Sequence, residues 1–421
     1  MENNNKQTNS DLFEDYKRKV LEGCAGVTYP GDIEKEVIEF LISYKDKNDN
    51  VLFQYARNIL AGKIKTSNNY KDVFDILHKL AVNNNPNAQY RLAICYYKGQ
   101  GTKQDYAKAF KWYKESAEQG NVDAQNNLGS CYYNGQGVEK DYTQAVYWFR
   151  KSAEQGDATA QNNLGCCYEY NQGVEKDYTK AVYWYKKSAE QGNVNAQYNL
   201  GFCYDKGQGV KQDYTQAVYW YEKAAKQGDA DAQYSLSCCY GSGDGVKQDL
   251  VTSLNWCKKA AEQNHAGAQF NLGYCYDYGQ GVKQDYTQAV YWYKKAADQG
   301  DADAQTYLGI CYYYGKGVEQ DYEKAVYWYK KAAEQDDAVA QYSLACCYGS
   351  GDGVNQDSTI AFNWCKKAAE QGYDVAQYTL GMCYKHGEGV RIDYSMAKYW
   401  FTKAAENGNE DAHSALESFK I

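Results

Sequence analysis

Residues 124–156 read AQNNLGSCYYNGQGVEKDYTQAVYWFRKSAEQG, and this stretch decides the fold. Its first half places Ala124, Leu128 and Cys131 at i, i+4 and i+7, which is one face of an α-helix. In its second half, small and aromatic residues recur at i, i+3, i+4, i+7 and i+8 from Ala145, which is a second helical face. The stretch therefore predicts two amphipathic helices that form a hairpin.

The same pattern recurs every 36 residues along the chain. All nine tryptophans keep this spacing, from Trp112 to Trp400, and so do nine of the fifteen cysteines, from Cys95 to Cys383. A hairpin that is repeated without linkers cannot bury its apolar face alone, so neighbouring copies must stack on one another. The sequence therefore predicts a stack of nine hairpins.

Glycine specifies the turn between the two helices. The first turn position, from Gly99 to Gly387, is glycine in every copy except at Asn171, and asparagine is the other residue that tolerates a left-handed backbone. Two residues further on, glycine has no exception, which indicates a second strained or crowded position. An aspartate such as Asp141 then stands where the second helix needs an N-cap.

Composition excludes several classes of protein. The 421 residues include 46 tyrosines and only 2 prolines, and 46 basic against 54 acidic side chains give a formal charge of −8. An acidic chain is a poor partner for nucleic acid or for an anionic membrane surface. No run approaches the roughly 20 apolar residues that cross a bilayer. We expect a cytoplasmic monomer with reduced cysteines, no membrane insertion and no nucleic-acid partner.

The frame that the copies share is, in the quoted stretch, Ala124, Leu128-Gly129, Tyr132, Gly135-x-Gly137-Val138, Asp141, Ala145, Trp148, Ala153 and Gly156. This frame resembles the Sel1-like repeat (SLR), a relative of the tetratricopeptide repeat. The resemblance implies an all-α fold, a right-handed α/α superhelical solenoid of helical hairpins. It also implies binding, because such families serve as adaptors in endoplasmic-reticulum-associated degradation, cell-wall or exopolysaccharide regulation, and bacterial host interaction.

The repeat sets the expected domain boundaries. We predict a disordered tail at residues 1–9, an N-terminal helical cap that includes a degenerate repeat at 10–86, nine repeats at 87–408, and a C-terminal capping helix at 409–421. The degenerate repeat is indicated by NNYKDVFDILHKLAV, which aligns Ile76 with the tryptophan of the next copy.

We expect no catalytic residue, no cofactor and no metal ion, because the same side chains recur at each step instead of converging. The four histidines lack metal-binding spacing, and we expect them at caps or on the surface. Cysteines equivalent to Cys131 lie on the core face, whereas the doubled cysteines Cys166, Cys238 and Cys346 point to a neighbouring, more exposed face.

An enzymatic alternative comes from the resemblance alone. Cysteine-rich bacterial SLR proteins are similar to penicillin-binding proteins and weak β-lactamases, and their repeats pair cysteines about eight residues apart. This chain lacks that pattern. Ser395 and Lys398 have SxxK spacing, but Ser395 occupies an ordinary repeat position and no SDN or KTG motif accompanies it.

Two copies, at 232–267 and 340–375, resemble each other more than their neighbours. In them Cys257 and Cys365 replace the large aromatic residue found at Phe149, which predicts a notch unless neighbouring side chains fill it. A ligand notch and the recent duplication of a three-repeat block both explain the pattern.

Positions 126, 130, 133 and 134 and their equivalents form a separate face of the first helix, which we expect to line a concave groove. Unlike the core face, this face varies from copy to copy and is rich in tyrosine. The candidate partner-binding residues are Tyr90, Ile94, Tyr198, Phe202, Tyr234, Phe270, Tyr274, Tyr278, Ile310, Tyr314, Tyr342, Tyr378 and Met382.

Tyrosine suits protein interfaces because it offers a large contact area and a hydrogen-bonding tip at a small entropic cost. Glu169, Asp205 and Asp277 on the same face favour a partner with Lys or Arg. The leading hypothesis is a non-enzymatic adaptor that binds a protein or peptide along the groove. The alternative for the tyrosines is an inner lining that packs only against neighbouring repeats. Stacking of single-stranded nucleic acid on the tyrosines is a third hypothesis, which the acidic charge disfavours.

Overall fold

The computed structural model describes residues 69–417, and every regular element in that range is an α-helix. The prediction of an all-α solenoid of helical hairpins is confirmed. The predicted tail at 1–9 and most of the predicted N-terminal cap lie outside the described residues. The half of the degenerate repeat that begins at Asn69 is described and forms a helix, in which Ile76 is buried.

The chain divides into two compact units, residues 1–212 and 213–421. The helices described in unit 1 are α1 (Asn69–Val82), α2 (Pro86–Lys98), α3 (Tyr106–Glu118), α4 (Val122–Asn134), α5 (Tyr142–Glu154), α6 (Ala158–Glu169), α7 (Tyr178–Glu190) and α8 (Val194–Lys206). Those in unit 2 are α9 (Tyr214–Lys226), α10 (Ala230–Ser242), α11 (Leu250–Glu262), α12 (Ala266–Tyr278), α13 (Tyr286–Asp298), α14 (Ala302–Tyr314), α15 (Tyr322–Ala333), α16 (Ala338–Ser350), α17 (Ser358–Glu370), α18 (Asp374–His386), α19 (Tyr394–Glu406) and α20 (Glu410–Glu417).

Each helix packs against the helices before and after it within its unit, and the predicted faces form the core. In the quoted repeat, Leu128 on α4 and Phe149 on α5 are buried. Gly129 lies where the two helices meet, and a Cβ atom there would be 2.6 Å from the Phe149 ring. The small residue therefore allows the close helix approach that the sequence predicts.

The helix ends have the predicted chemistry. The carboxylate of Asp141 accepts hydrogen bonds from the backbone N–H groups of Thr143 and Gln144, which caps α5. Asn171 has φ of 58°, so it adopts the left-handed backbone that glycine supplies in the other turns. The invariant second glycine is both left-handed and crowded: at Gly137, φ is 74° and a Cβ atom would be 2.0 Å from the carbonyl oxygen of Tyr106 in the preceding repeat.

A buried glutamine network joins successive repeats. The side-chain amide of Gln125 on α4 donates to the carbonyl of Ala117 at the end of α3, and Gln155 at the end of α5 donates to Gln125 Oε1 at 2.7 Å. The same relay recurs in unit 2, where Gln299 donates to Gln269 and Gln269 to the carbonyl of Ala261. The network satisfies buried polar groups at the carboxyl end of each second helix.

The described histidines lie at a cap or on the surface, as predicted. His265 accepts the backbone N–H of Ala268 through Nδ1 and caps α12, while His78, His386 and His413 are exposed. In the part of the chain that the structure describes, no helix is both long enough and apolar enough to span a membrane.

Candidate partner-binding wall

The first helices of the repeats carry the predicted binding face, which we call the wall: the positions equivalent to 126, 130, 133 and 134. In unit 1 it belongs to α2, α4, α6 and α8, and in unit 2 to α10, α12, α14, α16 and α18. The second helices expose a different set of tyrosines, which we call the outer tyrosines: Tyr147, Tyr183, Tyr219, Tyr291, Tyr327 and Tyr399.

The unit 1 wall mixes aromatic and polar side chains along its length. Tyr90 is half-buried, packs at 6.1 Å from the Tyr113 ring and lies under the Arg91 guanidinium, while burial raises the pKa of its phenol. A pocket of about 380 Å³ opens beside it, lined also by Ile94 and by Ser130 of the next first helix. This end of unit 1 therefore offers a concave surface of mixed aromatic and polar side chains.

In the middle of the unit 1 wall, asparagines connect successive first helices. Asn163 donates to Asn126 Oδ1 at 3.1 Å, and Asn199 donates to Asn162 Oδ1 at 3.1 Å. These amides are used for packing between repeats. Beyond them lies the pair of Tyr198 and Phe202, half-buried, with ring centroids 6.5 Å apart.

The unit 2 wall has a continuous aromatic cluster on α12 and α14. Phe270 lies 5.5 Å from the ring of Tyr307, and Tyr274 lies 6.0 Å from Tyr307 and 4.4 Å from Tyr278. Tyr278, at the edge of the cluster, and Tyr314, at the end of α14, have 55% and 63% of their surface exposed. Large aromatic side chains with this exposure are available to a partner.

Other tyrosines of the unit 2 wall take part in packing. Tyr234 stacks on His265 with ring centroids 4.6 Å apart, and Tyr342 lies edge-on to Tyr373 at 5.5 Å. Burial raises the pKa of both wall phenols to about 12, so they are neutral hydrogen-bonding groups at neutral pH. Tyr378 likewise lies against Phe401. Part of the wall is therefore a lining, and part is open surface.

The wall carboxylates are less available than the sequence analysis expects. Glu169 is buried and accepts the hydroxyl of Tyr185, and Asp277 is buried and accepts the hydroxyl of Tyr293 at 3.2 Å. Asp205 is paired with Lys206 at 3.0 Å. The first two carboxylates satisfy buried phenols instead of presenting negative charge, because the second helix brings a tyrosine directly behind them.

The cysteines have the predicted distribution. No disulfide joins the cysteines within residues 69–417; Cys238 and Cys346 are exposed, Cys166 is half-buried, and the core-face thiols such as Cys131 are buried. Burial raises the pKa of Cys131 to about 12, which keeps this thiol protonated. Within the same range, no cluster of three or more His, Cys, Asp or Glu side chains is placed to hold a metal ion.

Sequence reasoning missed two contributors to the wall. Tyr307 occupies a position that is polar in most copies, and its ring connects Phe270, Tyr274 and Tyr293. Gly349, at a wall position, opens a pocket beside Cys365. A position-by-position comparison of the copies contains both signals.

Stacked helical hairpins with a regular core and an irregular wall define the chain as an α-solenoid repeat protein. The Sel1 repeat matches nine consecutive segments, residues 86–121, 122–157, 158–193, 194–229, 230–265, 266–301, 302–337, 338–373 and 374–409. The chain belongs to the Sel1 repeat family, whose members are generally protein-interaction scaffolds and not enzymes.

Solved structures agree with this assignment. The protective antigen c5321 of uropathogenic Escherichia coli strains, which displays an SLR fold, is 32% identical over 97% of this chain and 90% of its own, with a TM-score of 0.80. A Sel1 repeat protein from Oxalobacter formigenes is 33% identical over 73% of this chain and 90% of its own, with a TM-score of 0.57. None of the curated proteins compared with the chain matches it.

Proposed function

We propose that this protein is a non-enzymatic adaptor that holds a protein or peptide partner along the wall of its first helices. The observation that carries the proposal is the contrast between a regular frame and an irregular, aromatic wall. The repeats share their turn and the aspartate cap of the second helix, whereas Tyr278 and Tyr314 expose large rings at wall positions that differ in other copies. Burial of such rings by a partner is a strong source of binding energy.

The chemistry of the wall favours an extended or helical segment with apolar and hydrogen-bonding side chains. Half-buried phenols supply contact area, and their neutral hydroxyl groups donate and accept hydrogen bonds. Because Glu169 and Asp277 are engaged with tyrosines, recognition through shape and hydrogen bonds is favoured over recognition through charge. The proposal places the adaptor in the cytoplasm, where thiols stay reduced.

The proposal is tested by selecting binders from a library of random peptides displayed on phage, with the full chain as target. Dissociation constants are then measured for wild type and for Tyr274→Ala with Tyr278→Ala. The matched control is Tyr291→Ala with Tyr327→Ala, which removes two outer tyrosines, 48% and 53% exposed.

For unit 1, the variant is Tyr198→Ala with Phe202→Ala, and its control is Tyr147→Ala with Tyr183→Ala. We expect at least one wall variant to weaken binding by about tenfold or more, as the loss of interface aromatics does, and the controls to bind like wild type. Equal affinities for all variants, with unchanged helix content by circular dichroism, contradict the proposal.

A further inference from the structure

Most repeats fill one region beside the wall with large side chains. In unit 1 the ring of Tyr133 on α4 lies 5.2 Å from Tyr142 and 6.4 Å from Phe149, both on α5. In unit 2 the ring of Tyr313 lies 5.0 Å from Tyr322. The positions equivalent to Tyr133, Tyr142 and Phe149 therefore converge where the two helices of a hairpin meet the wall, and in most copies they carry large side chains.

One repeat in unit 2 has no large side chain at any of the three positions. Its equivalents of Tyr133, Tyr142 and Phe149 are Gly349, Ser358 and Cys365, and all three line a pocket of about 460 Å³. The pocket also reaches wall residues Tyr342 and Cys346, so it opens beside the wall. The notch predicted at Cys365 is therefore present and is larger than a single substitution accounts for.

Neighbouring substitutions fill little of this space. In ordinary repeats a glycine faces the ring, as Gly309 faces Tyr329, where a Cβ atom would be 2.6 Å from the ring. Here Ala345 replaces the glycine and adds one methyl group. The related copy at 232–267 also has glycine and cysteine at the other two positions, Gly241 and Cys257, but Leu250 stands at the position of Ser358 and keeps a large side chain there.

The pocket has an apolar part and a polar part, and the polar part includes Ser358, Gln356, Thr379 and Glu388. The apolar part of the lining consists of Phe362, Tyr342 and the thiols of Cys365 and Cys383. Burial raises the pKa of both thiols, that of Cys383 to about 11. The thiols are therefore neutral and behave as small hydrophobic groups. Thr379 also lines the pocket, and its hydroxyl lies 3.4 Å from the hydroxyl of Tyr342.

A sister repeat shows what fits such a space. The ring of Tyr329 occupies the position equivalent to Cys365, and its hydroxyl interacts with Ser343, the equivalent of Thr379. A phenol bound in the pocket in the same orientation would place its ring against Phe362 and Cys365. Its hydroxyl would lie near Thr379, as the hydroxyl of Tyr329 lies near Ser343. The volume of about 460 Å³ lies in the range of small-molecule sites.

We propose that this pocket binds a neutral aromatic ring that carries a hydroxyl or N–H group, of the phenol or indole class. The ring belongs to a tyrosine or tryptophan side chain of the wall's partner, in which case the inference rests on the proposed function, or to a free small molecule.

The test uses p-cresol and 3-methylindole as probes. Their binding to the full chain is measured by NMR titration. We expect wild type to bind at least one probe with a dissociation constant on the order of 1 mM, as befits so small a ligand. The pocket is filled by Ala345→Gly with Cys365→Tyr, which restores the ordinary pair, and we expect this variant to bind about tenfold more weakly or worse. The matched control, Ser237→Gly with Cys257→Tyr, makes the same exchange in the related copy and is expected to bind like wild type.

A second variant with a smaller change in volume keeps the test valid if the first variant does not fold. Ser358→Leu copies the side chain of the related copy and is also expected to weaken probe binding, while circular dichroism remains that of wild type. Failure of wild type to bind either probe overturns the inference, and so does unchanged binding by both filled variants.

The two sources of the ring are separated by competition. A selected peptide that carries Tyr or Trp and displaces p-cresol identifies a side chain as the occupant, whereas peptide and p-cresol bound together identify a free ligand. Because the probes report on the pocket without any peptide, a negative probe result leaves the wall variants to decide the proposed function separately.

Discussion

At the residue scale, the glycines of the repeat have two different physical roles. Gly137 and Gly156 both have positive φ, 74° and 100°, which strains any residue with a side chain. Only Gly137 is crowded as well, because a Cβ atom would overlap the Tyr106 carbonyl, whereas a Cβ atom at Gly156 would meet nothing within 4 Å. The first glycine holds two repeats together, and the second ends a helix.

This difference predicts unequal costs for the same substitution. Gly156→Ala is expected to lower the free energy of unfolding by about 1–2 kcal/mol, the cost of a left-handed alanine. Gly137→Ala adds backbone overlap to the same strain and is expected to cost more, about 3 kcal/mol or above. Urea unfolding of both variants measures the difference. Equal losses would show that crowding at Gly137 relaxes without cost.

The buried thiols predict a loss of stability at alkaline pH. Burial raises the pKa of Cys131 and of Cys203 from 9.0 to about 12. The folded chain therefore holds these protons more tightly than the unfolded chain, and the resulting stability is complete below pH 9 and declines between pH 9 and about 12. Urea unfolding at a series of pH values measures the decline.

The control for this titration is Cys131→Ala with Cys203→Ala. The variant is less stable at neutral pH because it loses buried volume, but it should show a smaller further decline above pH 9. An identical decline in variant and wild type would assign the alkaline loss to other groups.

At the element scale, each hairpin depends on its neighbours through packing and through the glutamine network. The sequence predicts the helices, the turns and the aspartate caps because these follow from spacing within one repeat. It does not predict that Gln125 is buried, because the side chain is covered by the end of the preceding helix and by Gln155 of the next one. Such contacts require the stacking geometry.

Gln125→Leu is expected to destabilise unit 1 although leucine is apolar. The substitution removes two hydrogen bonds, one to the Ala117 carbonyl and one from the Gln155 amide. Each is worth about 0.5–1.5 kcal/mol, so we expect a loss of about 1–3 kcal/mol. The control is Gln144→Leu, an exposed glutamine of the same repeat, which is expected to change stability by less than about 0.5 kcal/mol. Thermal unfolding compares the two, and equal melting temperatures would contradict a role for the network.

The wall was predictable as a face but not in its details. Periodicity correctly separates Tyr278 and Tyr314 from the core, and both are exposed. It places Glu169 and Asp277 on the same face but cannot show that a second-helix tyrosine covers each of them. The pocket beside Cys365 is formed by three substitutions on two helices. Inspection of the Cys365 position alone therefore underestimates the volume of the pocket.

At the scale of the whole molecule, the residues that hold the repeats together and the residues of the wall occupy different positions of the repeat. Turns, caps and the glutamine network recur with little change and hold the repeats together, whereas the wall differs at almost every step. A scaffold of this kind can acquire binding properties on its wall without losing the frame, because the two sets of residues barely overlap. The outer tyrosines provide the comparison, because their exposure is close to that of Tyr278 on the wall. They recur in a regular arrangement with the adjacent tryptophan, as Tyr291 does with Trp292.

The central claim is that partners contact the wall and not the outer surface, and photo-crosslinking tests it most directly. The photoreactive residue p-benzoylphenylalanine replaces Tyr278 on the wall or Tyr291 on the outer surface, two positions that are 55% and 48% exposed. Each protein is irradiated in native lysate, and adducts are identified by mass. We predict discrete protein adducts from position 278 and none from position 291. Adducts from position 291 alone, or the same adducts from both positions, would contradict the claim.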